Sequence, residues 1–372
     1  MFGATSKATY TNNMNAEICE LTKNNIDSDA IKRAGEIIRN GGLVVFPTET
    51  VYGLGGDGLN PLSSKKIYAA KGRPSDNPLI VHISDIKDID KIAIDIPKTF
   101  YVLAEEFWPG PLTMILKASD NVPRETTGGL DTVAVRFPSH PIAKAFIEAA
   151  GSYIAAPSAN LSGRPSPTKS SHVIEDLADR VDMIITCDDI EIGLESTIVD
   201  LTAEKPMILR PGFITKEMLE EVLGEVQVDP TLMDVGCTQR PKAPGMRYRH
   251  YAPKGDMTLY KGSSKWVKEE IVKATNKAIE EGHKCGIMTA HEDYDYYRDK
   301  LPFDEEKLVI VDLGSIGNME AIASNVYKAL RYFDTVKADV ISSEYFDRHG
   351  LGEAVMNRLL KAAGHHIIEE VL

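Results

Sequence analysis

The stretch Lys71 to His82, KGRPSDNPLIVH, puts two cations and one imidazole on a single short unit. Lys71 and Arg73 stand ahead of the turn Pro74 to Pro78, and the apolar run Leu79-Ile80-Val81 leads on to His82. A proline-bounded turn rich in Ser, Asp and Asn, with β-branched residues after it, reads as a loop feeding a strand. Alternation along that strand sends Ile80, His82 and Ser84 to one face and Leu79, Val81 and Ile83 to the other. Cations at a strand entrance suit phosphate, and an imidazole further along suits proton or hydrogen-bond chemistry. The ordinary alternative is two solvated charges and a satisfied core histidine.

Other stretches have the same character. In TVAVRF, Val133, Val135 and Phe137 share one face while Thr132, Ala134 and Arg136 share the other. An arginine at the end of an otherwise buried strand is costly unless it meets an anion. That anion is either an internal carboxylate or the carboxylate or phosphate of a ligand. Arg210 follows a second buried-looking run, Met207 to Leu209. Lys71, Arg73, Arg136 and Arg210, gathered in one cleft, would suit a polyphosphate whose charge is neutralised during displacement at phosphorus. The loop APSANLSG, 156 to 163, clusters Ser158, Asn160 and Ser162 after a short apolar strand, a place where α/β sheets collect ligands. GxSxG is absent, so these hydroxyls point to hydrogen bonding and not to a covalent nucleophile. PTETVYGLGGDG, 47 to 58, with Thr48, Glu49, Thr50 and Tyr52, reads as a glycine-rich loop that a ligand could approach closely. It fits neither GxxxxGK[ST] nor GxGxxG. No spacing of His, Cys and carboxylates resembles a zinc site.

Period and punctuation give the elements that must position these residues. Ser28 is a candidate cap for a helix from Asp29 to Asn40, stopped by Gly41-Gly42. Leu43 to Phe46 reads as a buried strand and Ser63 to Ala70 as a short helix delivering Lys71. Further strands are expected at Thr113 to Lys117, Thr132 to Phe137, Ile154 to Ala156, Met183 to Thr186, Ser196 to Leu201 and Met207 to Leu209. Helices are expected at Pro97 to Phe107 and Pro141 to Ala150. This alternation predicts an α/β or α+β domain with a mixed sheet over residues 16–225, after a tail at 1–15 expected to be disordered. Residues 226–256 read as a linker whose later part, CTQRPKAPGMRYRHYAPKGD, is cationic and aromatic. Beyond it, strands at 258–260, 285–288, 308–311 and 339–342 alternate with helices at 265–281, 319–333 and 353–363. That pattern predicts a small parallel βαβ-type domain over 257–372. Glu292 to Asp299 reads as a charged loop, and His365-His366 as solvent-facing.

Bulk properties exclude several classes. The chain has 372 residues, 43% hydrophobic and 26% charged, as expected of a soluble two-domain protein. Its net charge of −13 argues against a coat for nucleic acid or anionic lipid. The four cysteines are scattered without metal or redox spacing and read as reduced thiols. No signal peptide or membrane span is evident, so a cytoplasmic location without membrane contact is expected.

The motifs FPTETVYGLG (46–55), KGRPSDNPLIVHI (71–83), FWPGPLT (107–113), TVAVRFPSHP (132–141), APSANLSG (156–163), ESTIVD (195–200), LRPG (209–212) and PGMRYRHYAP (244–253) occur in this order. In them the chain resembles the two-domain threonylcarbamoyl-AMP synthase family. The resemblance implies a YrdC-like α/β domain with a twisted mixed sheet, followed by a smaller Rossmann-like parallel α/β domain. It implies an adenylyl transfer in which ATP, bicarbonate and L-threonine give threonylcarbamoyl-AMP, pyrophosphate and water. The product would pass to a complex that modifies an adenosine beside the tRNA anticodon. By the same resemblance Thr50, His82, Arg136, Ala156 and Ser196 would contact threonine. Arg73, Asn77, Thr132, Ser158, Ser166, Arg210 and Tyr251 would bind the nucleotide, with Tyr248 the competitor of Tyr251. Lys71 would lie over the phosphates and act with Arg73 in catalysis. Mg²⁺ is expected on the ATP, without an identifiable protein ligand, and the linker is expected to act as a lid. Two other readings compete: an RNA-binding module, which the charge disfavours although a weak tRNA contact is compatible, and a carbamoyl-phosphate-dependent adenylating enzyme. The latter lacks an accompanying acylphosphatase-like or zinc-finger-like segment.

Overall fold

The computed structural model describes residues 16–187, 190–233, 243, 250–301 and 304–371. The tail at 1–15, Cys237 and most of the linker motif therefore lie outside the described residues. Two sheets organise the chain. The first has twelve strands. Across it run Glu17–Glu20, Met183–Thr186, Val44–Phe46, Gly53–Asp57, Ile154–Ala156, Ile80–His82, Thr132–Arg136, Leu112–Ala118, Thr197–Asp200, Met207–Arg210 and Gln227–Val228. Ala93–Ile94 pairs beside Leu112–Ala118. Pairings are both parallel and antiparallel, as the sequence leads one to expect. The last short strand, Gln227–Val228, still pairs with Met207–Ile208. The second sheet orders Leu308–Asp312, Cys285–Thr289, Val340–Glu344, Asp256–Lys261 and Ile367–Glu369, all parallel. Its last strand has no counterpart in the sequence reading.

Local chemistry explains where the elements begin and end. The helix Ser28–Arg39 is capped by Asp27 and not by Ser28, because the Asp27 carboxylate accepts from the amides of Asp29 and Ala30. Asn60 caps Pro61–Lys71 with proline in its first turn, and Gly72 ends it at φ 62°. That stop releases the chain straight after Lys71. Two expected loops are regular structure. Gly53–Asp57 is a strand between Val44–Phe46 and Ile154–Ala156. Its glycines are needed for packing, since a Cβ at Gly53 or Gly55 would sit 3.0 Å from the Phe46 ring. His291–Lys300 is a helix, with Glu292 and Asp293 in its first turn and Arg298 and Lys300 in its last. This charge order suits the helix dipole, which a reading by hydrophobic period alone overlooks. His366 is exposed, as expected, and His365 is half-buried.

Alternation settles which face of the first sheet is apolar. Val81, Ile83, Val133, Val135, Met114 and Leu116 pack with Ile89, Phe100, Leu103 and Leu219 in one core. Ile80, Ala134, Ile115 and Ile198 take the opposite face. In the second sheet, one face packs under the helices Ser264–Glu280 and His291–Lys300. The other packs under Met319–Val336 and Leu351–Ala362. Val51 and Leu194 of the first unit join this last core, so the two helices lie between the sheet and the first domain. Among the described residues, no helix is long and apolar enough to cross a membrane. Cys19, Cys187 and Cys285 are free thiols.

A buried ion pair crosses between the units. Arg331, from Met319–Val336, donates to both carboxylate oxygens of Asp176 at 3.0 and 2.6 Å and to the Pro165 carbonyl at 2.9 and 2.6 Å. Asp176 also accepts from Arg164 and from the Leu161 amide. Removing one partner of a buried pair strands the other charge. Arg331→Met is expected to destabilise the protein by about 3 kcal/mol in chemical denaturation. The surface change Lys273→Met should stay within about 0.5 kcal/mol.

Candidate active site

One rung of the first sheet carries much of the site. His82 pairs with Arg136, Arg136 with Thr113, Thr113 with Ile198, and Ile198 with Arg210. Paired residues project to the same face, so three strands after Ile80 bring His82, Arg136 and Thr113 together opposite the apolar core. The cleft above this rung is lined by Lys71, Arg73, His82, Arg136, Ser158, Ser196, Arg210 and Tyr251, among others. Ala156 lines it too, at the end of its strand.

The four cations reach the cleft by different supports. Arg136 is buried and donates to Glu49 Oε1 at 2.6 Å. Of the two partners open to it from sequence, the internal carboxylate is therefore present; its Nε keeps no hydrogen bond. Arg210 braces Ser196, donating from Nε to the Ser196 carbonyl at 3.0 Å and from Nη2 to its hydroxyl at 3.1 Å. Ser196 also shares a hydrogen bond with Thr113 at 2.7 Å. Arg73 is half-buried and leans back on the carbonyls of Asn77 and Pro78 at 3.2 and 3.1 Å. Burial lowers its pKa to about 10, which leaves it charged at neutral pH. Lys71 is the most enclosed. Its ammonium donates to the Ser158 carbonyl, to the Asn160 carbonyl at 2.6 Å and to Asn160 Oδ1 at 3.3 Å. Burial, then Arg73, pushes its pKa well down. Here it ties the serine-rich loop to the strand entrance.

His82 is neutral. Its Nδ1 lies 3.1 and 3.3 Å from the Ile80 and Ile154 carbonyls, which only accept, so Nδ1 carries the proton and Nε2 is a free acceptor. Burial and then the Arg136 charge lower its pKa to about 3.

Four residues expected at the site do not line the cleft. Thr50 is buried behind it, sharing a 2.9 Å hydrogen bond with Thr48, which does line it. Asn77 is buried in the turn with Oδ1 unpaired. Thr132 begins its strand opposite Lys117. Ser166 donates to Glu195. Tyr251 is buried at φ 63°, while Tyr248 lies outside the described residues.

Sequence reasoning passed over the acidic and C-terminal contributors. Glu49 and Glu195 were visible in the motifs, yet spacing gave them no partner. Glu195 lines the cleft, and its carboxylate accepts from Ser166, from Tyr327 at 3.0 and 2.8 Å and from Arg358 Nε at 2.9 Å. Burial alone would raise its pKa; the charges of Arg358 and Arg210 together with the hydrogen bonds from Ser166 and Tyr327 outweigh burial and set it at about 2. A signal did exist: Arg358 sits among Val355, Leu359 and Ala362 on an apolar helix face, where an arginine must find an anion.

Residues 36–212 match the family described as "Telomere recombination", and residues 214–364 match "Threonylcarbamoyl-AMP synthase, C-terminal domain". The chain is 45% identical over 344 residues to a threonylcarbamoyl-AMP synthase of Pyrococcus abyssi, covering 92% of this chain and 97% of that one. It is 43% identical to the Bacillus subtilis protein of the same name, covering 91% and 94%. The crystal structure of P. abyssi Sua5 complexed with L-threonine superposes with a TM-score of 0.87 at 44% identity, over 95% of this chain and 99% of that one. With both of its domains matched in order and nearly full-length relatives on either side, the chain belongs to the threonylcarbamoyl-AMP synthase family.

Proposed function

We propose that this protein is an L-threonylcarbamoyladenylate synthase acting as a nucleotidyltransferase on ATP, bicarbonate and L-threonine. The observation that carries the reading is the convergence of Lys71, Arg73, Arg136 and Arg210 on one cleft whose lining carboxylate, Glu195, is already neutralised. Such a cleft attracts anions, and all three substrates carry an anionic group. The P. abyssi relative, solved with L-threonine, supports threonine as the amino acid.

In this reading the threonine nitrogen adds to carbon dioxide or bicarbonate, giving N-carboxythreonine and, from bicarbonate, water. The new carboxylate then attacks the α-phosphorus of ATP, the α–β phosphoanhydride bond breaks, and pyrophosphate leaves. No protein nucleophile is required. Arg136, whose orientation Glu49 sets, holds the threonine carboxylate; neutral His82 accepts a hydrogen bond at Nε2, and Ser196 and Ala156 complete that end, with Thr50 bracing Thr48 from behind. Arg73 and Arg210 offset phosphate charge beside Ser158, with Tyr251 over the nucleotide, while Asn77, Thr132 and Ser166 support the wall from outside the lining. Lys71 acts on the phosphates once its loop carbonyls give way. Among the described lining residues the carboxylate, Glu195, is already held by Ser166, Tyr327 and Arg358, so Mg²⁺ would travel on the ATP phosphates and no step depends on a protein ligand for it. The adenylate then passes to a tRNA-modifying complex, with at most a weak contact to tRNA itself.

The decisive assay follows adenylate and pyrophosphate from labelled ATP, omitting threonine and bicarbonate in turn. Product is expected only when both are present; ATP turnover without them would overturn the reading. Arg136→Lys is expected to raise the threonine KM by about tenfold or more with a smaller change for ATP. The folded pKa of His82, about 3, lies below the unfolded value of about 6.5. Between those values the unfolded chain binds the extra proton, so stability rises with pH there. Stability should therefore fall on acidification below pH of about 6.5, by up to about 1.4 kcal/mol per unit. The decline should be shallower in His82→Gln, as read from denaturation midpoints.

A further inference from the structure

Arg358 belongs to the C-terminal helix Leu351–Ala362 and is fully buried. It touches three segments that shape the nucleotide side of the cleft. Its Nε donates to Glu195 Oε2 at 2.9 Å, one residue ahead of Ser196. Its Nη1 donates to the Pro211 carbonyl at 3.0 Å, one residue after Arg210, and to its neighbour Asn357 at 3.0 Å. Its guanidinium carbon lies 5.5 Å from the centroid of the Tyr251 ring. Tyr327, on Met319–Val336, completes the arrangement: its hydroxyl donates to Glu195, and its ring centroid is 5.3 Å from that of Tyr251. The Ala252 amide then donates to the Gly163 carbonyl at 2.9 Å, fastening the linker to the serine-rich loop.

We propose that Arg358 is a positioning residue of the active site, contributed by the C-terminal domain: it cancels the Glu195 carboxylate beside the nucleotide and provides the bed on which the Tyr251 ring packs. The proposal rests on the nucleotide-binding reading of the cleft. Electrostatics gives its reason. Glu195 is a lining carboxylate in a cleft that must take up a polyanion. Bare, it would repel the phosphates and attract Arg210 away from them. Four contacts prevent this, and three come from Tyr327 and Arg358 of the second domain. Arg358 also offers a cation to the face of Tyr251, an interaction that strengthens when it is dry. The same guanidinium thus fixes the charge of the cleft wall and the resting place of the linker. Docking of the second domain is thereby built into the competence of the first.

The test compares wild type, Arg358→Met, Tyr327→Phe and the double variant Glu195→Gln/Arg358→Met, measuring ATP and threonine affinity by calorimetry alongside turnover. Circular dichroism checks folding. Arg358→Met is expected to weaken ATP at least about tenfold, and threonine less, because a carboxylate is left uncompensated beside the phosphates. Adding Glu195→Gln should recover at least about threefold of the ATP loss, since the stranded charge is gone. Folded Arg358→Met that binds ATP within about twofold of wild type would overturn the proposal, as would a double variant weaker than Arg358→Met. Should Arg358→Met fail to fold, Tyr327→Phe decides: it keeps the ring, so ATP binding weakened about threefold supports the proposal and unchanged binding overturns it. Failure of the functional reading is distinguishable, because it would appear as wild type binding ATP without forming adenylate.

Discussion

A guanidinium can be buried in a protein only if a carboxylate or a set of carbonyls goes with it, and this molecule depends on meeting that condition several times over. Arg136 meets it with Glu49 inside the first domain. Arg331 meets it with Asp176, and Arg358 with Glu195, both across the boundary between domains. Arg210 relies on the carbonyl and hydroxyl of Ser196. Each arrangement fixes a piece of the cleft. Glu49 sets Arg136, Asp176 carries the loop at 161–164, and Glu195 and Ser196 lead into the strand Thr197–Asp200.

Charge thereby becomes an assembly rule. The cleft needs exposed cations for its ligands, yet its supporting walls must be electrically satisfied before a ligand arrives. Lys71 illustrates the tension most plainly. Its ammonium is saturated by the Ser158 and Asn160 carbonyls and Asn160 Oδ1. The interaction that orders the serine-rich loop is also one that a phosphate would have to replace. Arg73, which leans on two carbonyls of its own turn, is freer to move.

The second domain enters through the same physics. Its parallel sheet has a separate core under two helices, but the other two helices face the first domain and bring Tyr327, Arg331 and Arg358 with them. Gly193 lies so near the backbone of Ser324 that a Cβ there would come within 2.6 Å of the Ser324 Cα, so the contact is intimate as well as ionic. The linker residues Tyr251 and Ala252 lie where the two units meet.

By itself the sequence determined the periods. Alternation in LIVHI and TVAVRF assigned His82 to the face of Ile80 and Arg136 to that of Thr132 and Ala134, and the pairing of Ile80 with Ala134 and of His82 with Arg136 keeps those faces together. The βαβ rhythm after residue 256 determined a parallel sheet, and the ordered motifs determined the family. These features were legible because they are local: side-chain direction follows from backbone period alone. What the sequence left open was pairing. Nothing in spacing matches Arg136 to Glu49, Arg358 to Glu195 or Arg331 to Asp176, which are 87, 163 and 155 positions apart. Nor could it make a strand of Gly53–Asp57, whose glycines answer to the Phe46 ring lying against them. Those outcomes were decided by the tertiary structure, because a buried charge or a close ring contact is resolved by whatever group the fold brings alongside, however distant along the chain.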